Sequence, residues 1–548
     1  MKYTIILLVF LPTLLFAQTK KERKQQQRLD AEAMLNITNH VKYLADDALE
    51  GRRTGTSGED KALAYLIEQY KKYGLQPAGN NGTYQQVFEV NEGKQITKEG
   101  NALQINGTQL QPKIDYTPLC FSANATIQGN ASLTLHEPNE PWLVDVKEIL
   151  EDNKSNPHFD MMAKAYEMAK KAASKNAKAI VFYNSANLVD NILFNKNDTL
   201  PPLTIPVVYL NQASLRQHCK DATATYALQI QVNIVPQKRM GKNVVAYINN
   251  NATNTIILGA HYDHLGYGED KNSLDGEGQI HNGADDNASG TAALLELARQ
   301  LMVSASKQNN YLFISFSAEE LGLLGSKYWL QHPTVQITPN YMINMDMVGR
   351  YDTAKKLTVG GYGTSPIWGE TFKQVKTDLL LKWDSAGTGP SDHASFYRKD
   401  IPVLFFFTNS HSDYHKATDD WDKINYAGEV QIINLIKQTI QYTNDKGKLT
   451  FTKTREQQMG RGAGFTVSLG VIPDYGYTGT GVKIDGVSKG KTAEKIGLQA
   501  NDVLLQLGEY KFVDVNSYMQ ALSKFKKGDQ VKLTIKRGDK EISYDITF

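Results

Sequence analysis

Five short stretches hold the residues that could do chemistry: "GAHYDHLG" (259–266), "GADDNASG" (283–290), "SAEELG" (317–322), "NMDMVG" (344–349) and "SDYHKATDD" (412–420). Among their residues the candidates are two imidazoles, His261 and His415, and the acids Asp263, Asp285, Asp286, Glu319, Glu320 and Asp346. Tyr414 directly precedes the last imidazole. Imidazole nitrogen mixed with carboxylate oxygen is a donor set that zinc accepts. The charges favour two ions over one. Two zinc ions bring four positive charges, while Asp285, Glu320 and Asp346 bring three negative ones, and one hydroxide closes the balance. A single ion would leave buried carboxylates uncompensated, which is costly. Two ions about 3.5–4 Å apart can share a carboxylate and hold one water between them. On this reading Glu320 is a ligand. Its neighbour Glu319 is the general base, taking a proton from that water and passing it to the leaving amine. Asp263 stands two residues after His261, on the same face of a strand, and is expected to accept the other ring N–H.

Each stretch sits at the end of an apolar run or opens a helix. "TIILGAHYD", "NYLFISFSAEE", "YMINMDMVG" and "IPVLFFFTN" predict buried strands, and "ASGTAALLELARQLM" predicts a helix between the first two. Strands apolar on both faces, alternating with amphipathic helices over residues 243–443, argue for a largely parallel sheet covered on both sides. Ligands in such α/β folds gather beyond the carboxyl ends of the strands, which is where these polar residues fall.

The rest of the chain divides by composition. At 548 residues it exceeds one ordinary core. With 41% hydrophobic and 22% charged residues it is neither disordered nor a multi-span membrane protein. A net charge of +2, spread along the chain, gives no case for nucleic-acid binding. Lys2, the apolar run Ile5–Ala17 and the basic "KKERK" predict a signal peptide over 1–17, cleaved after Ala17. That implies export to the periplasm, cell surface or medium, with no stable membrane span afterwards. Helical spacing recurs at Val41, Leu44 and Leu49, then at Leu63, Leu66, Ile67 and Tyr70, with "GRRTGTSG" as a loop between. Residues 18–111 are taken as the first part of the catalytic domain and 237–445 as its main part. Between them 112–236 forms a β-rich α/β insert, in which "MMAKAYEMAKKAASKNAK" is a helix feeding the strand "AIVFYN". A polar linker (446–464) precedes a separate domain of short strands (465–548). Cys120 and Cys219 are too few for a disulfide framework or a cysteine-rich zinc site, and their pairing is open.

The five motifs, in this order and spacing, resemble the co-catalytic di-zinc aminopeptidases, metallopeptidase family twenty-eight, of the secreted leucyl aminopeptidase and aminopeptidase S type. The resemblance spans about residues 35–110 and 240–445. It implies a mixed, largely parallel α/β sheet sandwiched by helices, of zinc-exopeptidase type, and two zinc ions per chain. His261 and Asp346 would hold one ion, Glu320 and His415 the other. Asp285 would bridge them, with Asp286 as the alternative. Glu319 would be the base, Asp263 would support His261, and Tyr414 would help the oxyanion. The insert resembles a protease-associated domain. The tail resembles a PDZ domain, with "VSLGV" (467–471) as its loop for a peptide C-terminus or protein partner. The implied activity is removal of N-terminal residues from peptide substrates. The alternatives are a metallocarboxypeptidase or single-zinc aminoacyl cyclase of the same fold, or a non-catalytic peptide-binding receptor. His264, His281, His393 and His411 have no place in the inferred ligand set and are taken as ordinary histidines.

Overall fold

The run "NNYLFISF" (309–316) shows how the central sheet is made. Every residue of this strand is buried. Tyr311 and Phe313 enter the core on one face of the sheet, while Leu312, Ile314 and Phe316 enter the core on the other. The period of two is that of a strand covered on both sides. The strand Asn254–His261 divides in the same way, with Ile256, Leu258 and Ala260 on the first face and Ile257 on the second. Each fully buried aliphatic or aromatic side chain contributes about 1.5–3 kcal/mol. Turning such a strand by one residue would exchange its two sets of partners, so register is strongly fixed.

In this computed structural model the central sheet runs in the order Gln76–Pro77, Ile234–Ile248, Asn309–Phe316, Asn254–His261, Pro339–Met345, Val403–Phe407, Leu357–Gly360, Leu381–Trp383, with Gln85–Ile96 also paired to Ile234–Ile248. The four inner strands, from Asn309–Phe316 to Val403–Phe407, are mutually parallel. Their carboxyl ends therefore lie along one edge of the sheet. Helices Lys20–Leu44, Ser57–Lys72, Gly290–Met302 and Tyr426–Thr443 supply apolar residues to the first core. Helices Leu324–Gln331 and His393–Tyr397 supply Trp329, Phe396 and Tyr397 to the second.

The structure describes residues 20–154, 159, 161–190, 192–196, 198, 200–270, 272–454, 467–473, 480–487, 490–512, 515–522, 524–538 and 540–548. The expected signal peptide, 1–17, lies outside them, as does most of the expected linker. The polar stretch after the signal is helical from Lys20. Among the described residues no helix is long and apolar enough to cross a membrane.

The chain separates into two compact units, Met1–Phe88 with Lys242–Phe525 and Val531–Ile546, and Glu89–Gly241 with Lys526–Gln530 and Thr547–Phe548. The second unit starts earlier than the composition suggests. Ala102–Ile105 and Thr108–Leu110 fall before residue 112, yet they form a four-stranded sheet with Thr225–Val232 and Ala125–Ser132. Pairing to a strand more than a hundred residues away leaves no local signature in the sequence. Its other sheet, Tyr116–Pro118, Val207–Leu210, Ala179–Tyr183 and Pro141–Asp145, carries the expected helix as Met161–Ser174. That helix buries Met161, Ala165, Ala169 and Ala172, a spacing of four, four and three. Cys120 and Cys219 are both buried free thiols, in different apolar clusters. The last domain is a six-stranded sheet with the helix Val515–Leu522. In "VSLGV", Leu469 is fully buried and its carbonyl accepts from the Ala493 N–H at 2.8 Å.

Candidate metal centre

The parallel strands bring the motifs to one edge. His261 ends the strand Asn254–His261, Asp346 follows Met345 directly, and Glu319 and Glu320 stand three and four residues past Phe316. His415 lies in the loop beyond Val403–Phe407, and Asp286 lies in the irregular turn 284–289 that enters the helix Gly290–Met302.

Asp286 occupies the middle. Its Oδ1 is 3.3 Å from His261 Nε2 and its Oδ2 is 3.2 Å from His415 Nε2. Around His261 Nε2 stand Asp346 Oδ1 at 3.4 Å and Glu319 Oε2 at 4.0 Å. Around His415 Nε2 stands Glu320 Oε2 at 3.2 Å. The shared position was expected of Asp285, and the structure corrects this. Asp285 is turned the other way, its Oδ1 accepting from the Gly349 N–H (2.7 Å) and Ser289 hydroxyl (3.0 Å), its Oδ2 3.1 Å from His411 Nε2. Both peptide N–H groups of the pair donate to Asp419 Oδ2, at 2.9 and 3.0 Å. With the two backbones pinned to one acceptor, the adjacent side chains leave in opposite directions.

The spacings fall into two kinds. A charge-assisted N–H···O contact closes to about 2.7–2.9 Å. Donors held 2.0–2.1 Å from a tetrahedral zinc stand about 3.3 Å from one another. The contacts of Asp286, Asp346 and Glu320 with the two imidazoles, at 3.2–3.4 Å, match the second geometry. The charge balance agrees. Two buried carboxylates, Asp286 and Asp346, and two half-buried ones, Glu319 and Glu320, surround two imidazoles. Burial opposes charge on His261, but Asp346 and Glu319 carry it well above the usual imidazole range. Burial likewise opposes charge on His415, which Glu320 and Asp286 raise. The cluster is short of positive charge, and divalent cations fit it.

The remaining residues hold the donors in place. His415 Nδ1 faces the Asn272 carbonyl at 2.8 Å, which directs Nε2 inward. His261 Nδ1 faces the backbone carbonyl of Asp263 at 3.1 Å, whereas the Asp263 carboxylate is 3.8 Å away. The expected carboxylate support is thus supplied by the main chain. Asp263 instead accepts from the Glu319 backbone N–H and the Thr54 hydroxyl, both at 3.1 Å, and so anchors the glutamate turn. Burial raises Glu319 well above the ordinary carboxyl value, and the Asp346 and Glu320 charges add to this against the pull of His261. Tyr414 stacks on the His415 ring (centroids 3.9 Å apart) and packs against Met347, Phe405 and Phe407.

Several supports escaped the sequence reading. Ser391 donates to Asp346 Oδ2 at 2.7 Å and itself accepts from Asn344, leaving Oδ1 for His261. Arg52, fully buried, donates to the carbonyls of Leu44, Tyr262, Asn282 and Gly283, tying the loops after His261 and before Asp285 to the first helix. Of the four histidines set aside, His264 contacts Glu320, His411 contacts Asp285 and His281 contacts Asp275. His393 stacks on Phe405 and is pushed down to about 3 by burial. The signal available was position: His264 stands three residues after His261, at the same strand end.

The chain is similar to known proteins over part of its length. The model of peptidase family M28 matches residues 243–440, and that of a PDZ domain matches 449–548. Aminopeptidase YwaD of Bacillus subtilis is 27% identical over 289 residues, 51% of this chain and 58% of that protein. A probable leucine aminopeptidase of Arthroderma otae is 30% identical over 184 residues, 31% of this chain and 47% of that protein. The chain thus spans about half the length of these curated relatives. The solved structure titled BSAP, a zinc aminopeptidase from Bacillus subtilis, is 20% identical, covering 76% of this chain and 95% of that one at a TM-score of 0.41. The match to peptidase family M28 spans all five motifs on that sheet edge, and the match to a PDZ domain follows it in the chain.

Proposed function

We propose that this protein is an exported, zinc-dependent aminopeptidase that removes N-terminal residues from peptides. The observation that carries this is the placement of Asp286 between His261 and His415, one carboxylate oxygen toward each imidazole. It supports two cation positions. His261 and Asp346 would hold one, His415 and Glu320 the other, and Asp286 would serve both. Zinc bound there would supply Lewis acidity, polarising a peptide carbonyl and acidifying water. The protein's own groups do the rest. Glu319 stands beside the first position with a raised carboxyl value, suited to taking a proton from water and returning it to the departing amine. Asp263 fixes the height of Glu319 through its backbone N–H. Tyr414, stacked on His415, is proposed to help the oxyanion. The names of the curated relatives, which are aminopeptidases, support peptides with a free α-amine as substrates. The PDZ domain is proposed to hold a peptide C-terminus or partner protein along "VSLGV".

The test is release of nitroaniline from a panel of aminoacyl-nitroanilides, before and after chelation and with zinc restored. Chelator-sensitive release from at least one member supports the proposal. No release from any member of a broad panel, with two zinc ions bound, refutes it. For export, the expected mature N-terminus is Gln18, read by sequencing the protein from the extracytoplasmic fraction. An intact Met1 there would contradict it.

A further inference from the structure

Glu320 is held by more than its cation position. Its Oε2 faces His415 Nε2 at 3.2 Å, while its Oε1 meets His264 Nδ1 at 2.8 Å. The second distance is that of a charge-assisted hydrogen bond, shorter than the spacing between two ligands of one zinc. A ligating carboxylate is acceptor-only, so His264 Nδ1 must carry the proton. The ring has little freedom to do otherwise. Its side chain is fully buried, its backbone N–H donates to the Arg52 carbonyl at 3.3 Å, and it lies so close to Gly283 that a Cβ there would stand 2.4 Å from Cδ2. Its Nε2 has no hydrogen-bond partner among the described residues. The amide of Asn272 completes the setting, 3.4 Å from Glu320 Oε2. The first cation position is supported differently, because the outer oxygen of Asp346 meets a neutral hydroxyl, Ser391, at 2.7 Å.

We infer that His264 is a positioning residue for the second cation: it claims one oxygen of Glu320, turns the other toward His415, and so sets the affinity of that position independently of the first. The inference rests on the two-cation reading of the site. Such outer partners of ligating carboxylates typically govern about 10–100-fold in metal affinity. An imidazole that donates to one carboxylate oxygen also prevents Glu320 from rotating to offer both oxygens.

The experiment is calorimetric titration of zinc into the metal-stripped full-length protein, for the wild type, His264→Asn and His264→Phe. An asparagine amide can take the place of Nδ1–H, whereas phenylalanine fills the space without a donor. His264→Ala serves if the larger ring is not accommodated. The wild type should bind two zinc ions in resolvable steps. In His264→Phe one step should lose at least about tenfold in affinity and the other should stay unchanged, which also reports an intact fold. His264→Asn should remain within about threefold of wild type at both steps, a smaller change than loss of the partner produces. Unchanged affinities in His264→Phe, or equal weakening of both steps, would overturn the inference while leaving the two-zinc reading in place. A wild type that binds fewer than two ions would instead overturn that reading, and this one with it.

Discussion

At Asp286 the change from carboxylate to amide removes a charge from between two imidazoles. Asp286→Asn should bind fewer than two zinc ions and lose at least about a hundredfold in kcat. One residue earlier, Asp285→Asn should keep its zinc and lose stability instead, about 1.5–3 kcal/mol for a weakened buried contact with His411 and Gly349. Zinc content and denaturant unfolding measured on both variants check this, and reversal of the two patterns would refute the assignment. Glu319→Gln should retain both zinc ions while kcat falls about 10²–10⁴-fold. A loss of zinc there would make Glu319 a ligand rather than the base. The choice between the two aspartates was not legible in "GADDNASG". Adjacent identical side chains are separated by backbone angles, and those follow from Asp419, more than a hundred residues downstream. His261 was legible because it ends a run whose period fixes where it points, and the glutamate pair and His415 because they follow such runs toward the same sheet edge.

The elements around the site meet through buried polar contacts. Arg52 holds four carbonyls from three segments of chain. Arg52→Met would leave them buried without a donor, at about 1–3 kcal/mol each. Chemical denaturation should therefore show a loss of at least about 4 kcal/mol, or no soluble protein, and a smaller loss would contradict the role. "GRRTGTSG" predicted only a loop, since no periodicity marks an arginine that binds backbone. His40, on Lys20–Leu44, lies 2.7 Å from the Tyr65 hydroxyl and 3.0 Å from that of Tyr73, joining the first helix to Ser57–Lys72. Burial lowers it from 6.5 to about 4, against the pull of Glu296. Between those values the unfolded chain binds a proton that the folded chain refuses. Stability is therefore full above about pH 6.5 and falls by ~3 kcal/mol as the pH drops toward 4. His40→Gln should flatten that part of the stability–pH curve, and an unchanged slope would place the titration elsewhere.

Over the whole molecule, the sequence outlined the peptidase sheet better than the insert. Runs such as "NNYLFISF" carry their burial on both faces, whereas Ala102–Ile105 gains its place only by pairing with Thr225–Val232. The site has a global consequence too. Four carboxylates crowd its two imidazoles, so the folded chain should bind zinc far better than the unfolded one. At a thousandfold excess over Kd that linkage is worth about 4 kcal/mol, and a chelator should lower the Tm measurably. An unchanged Tm would mean that the cluster is stable without a cation. The most direct test of the central claim is anomalous diffraction at the zinc edge from crystals of the zinc-loaded protein. The account predicts two peaks about 3.5–4 Å apart, one on each side of the Asp286 carboxylate. A single peak, or a pair flanking Asp285, would contradict it.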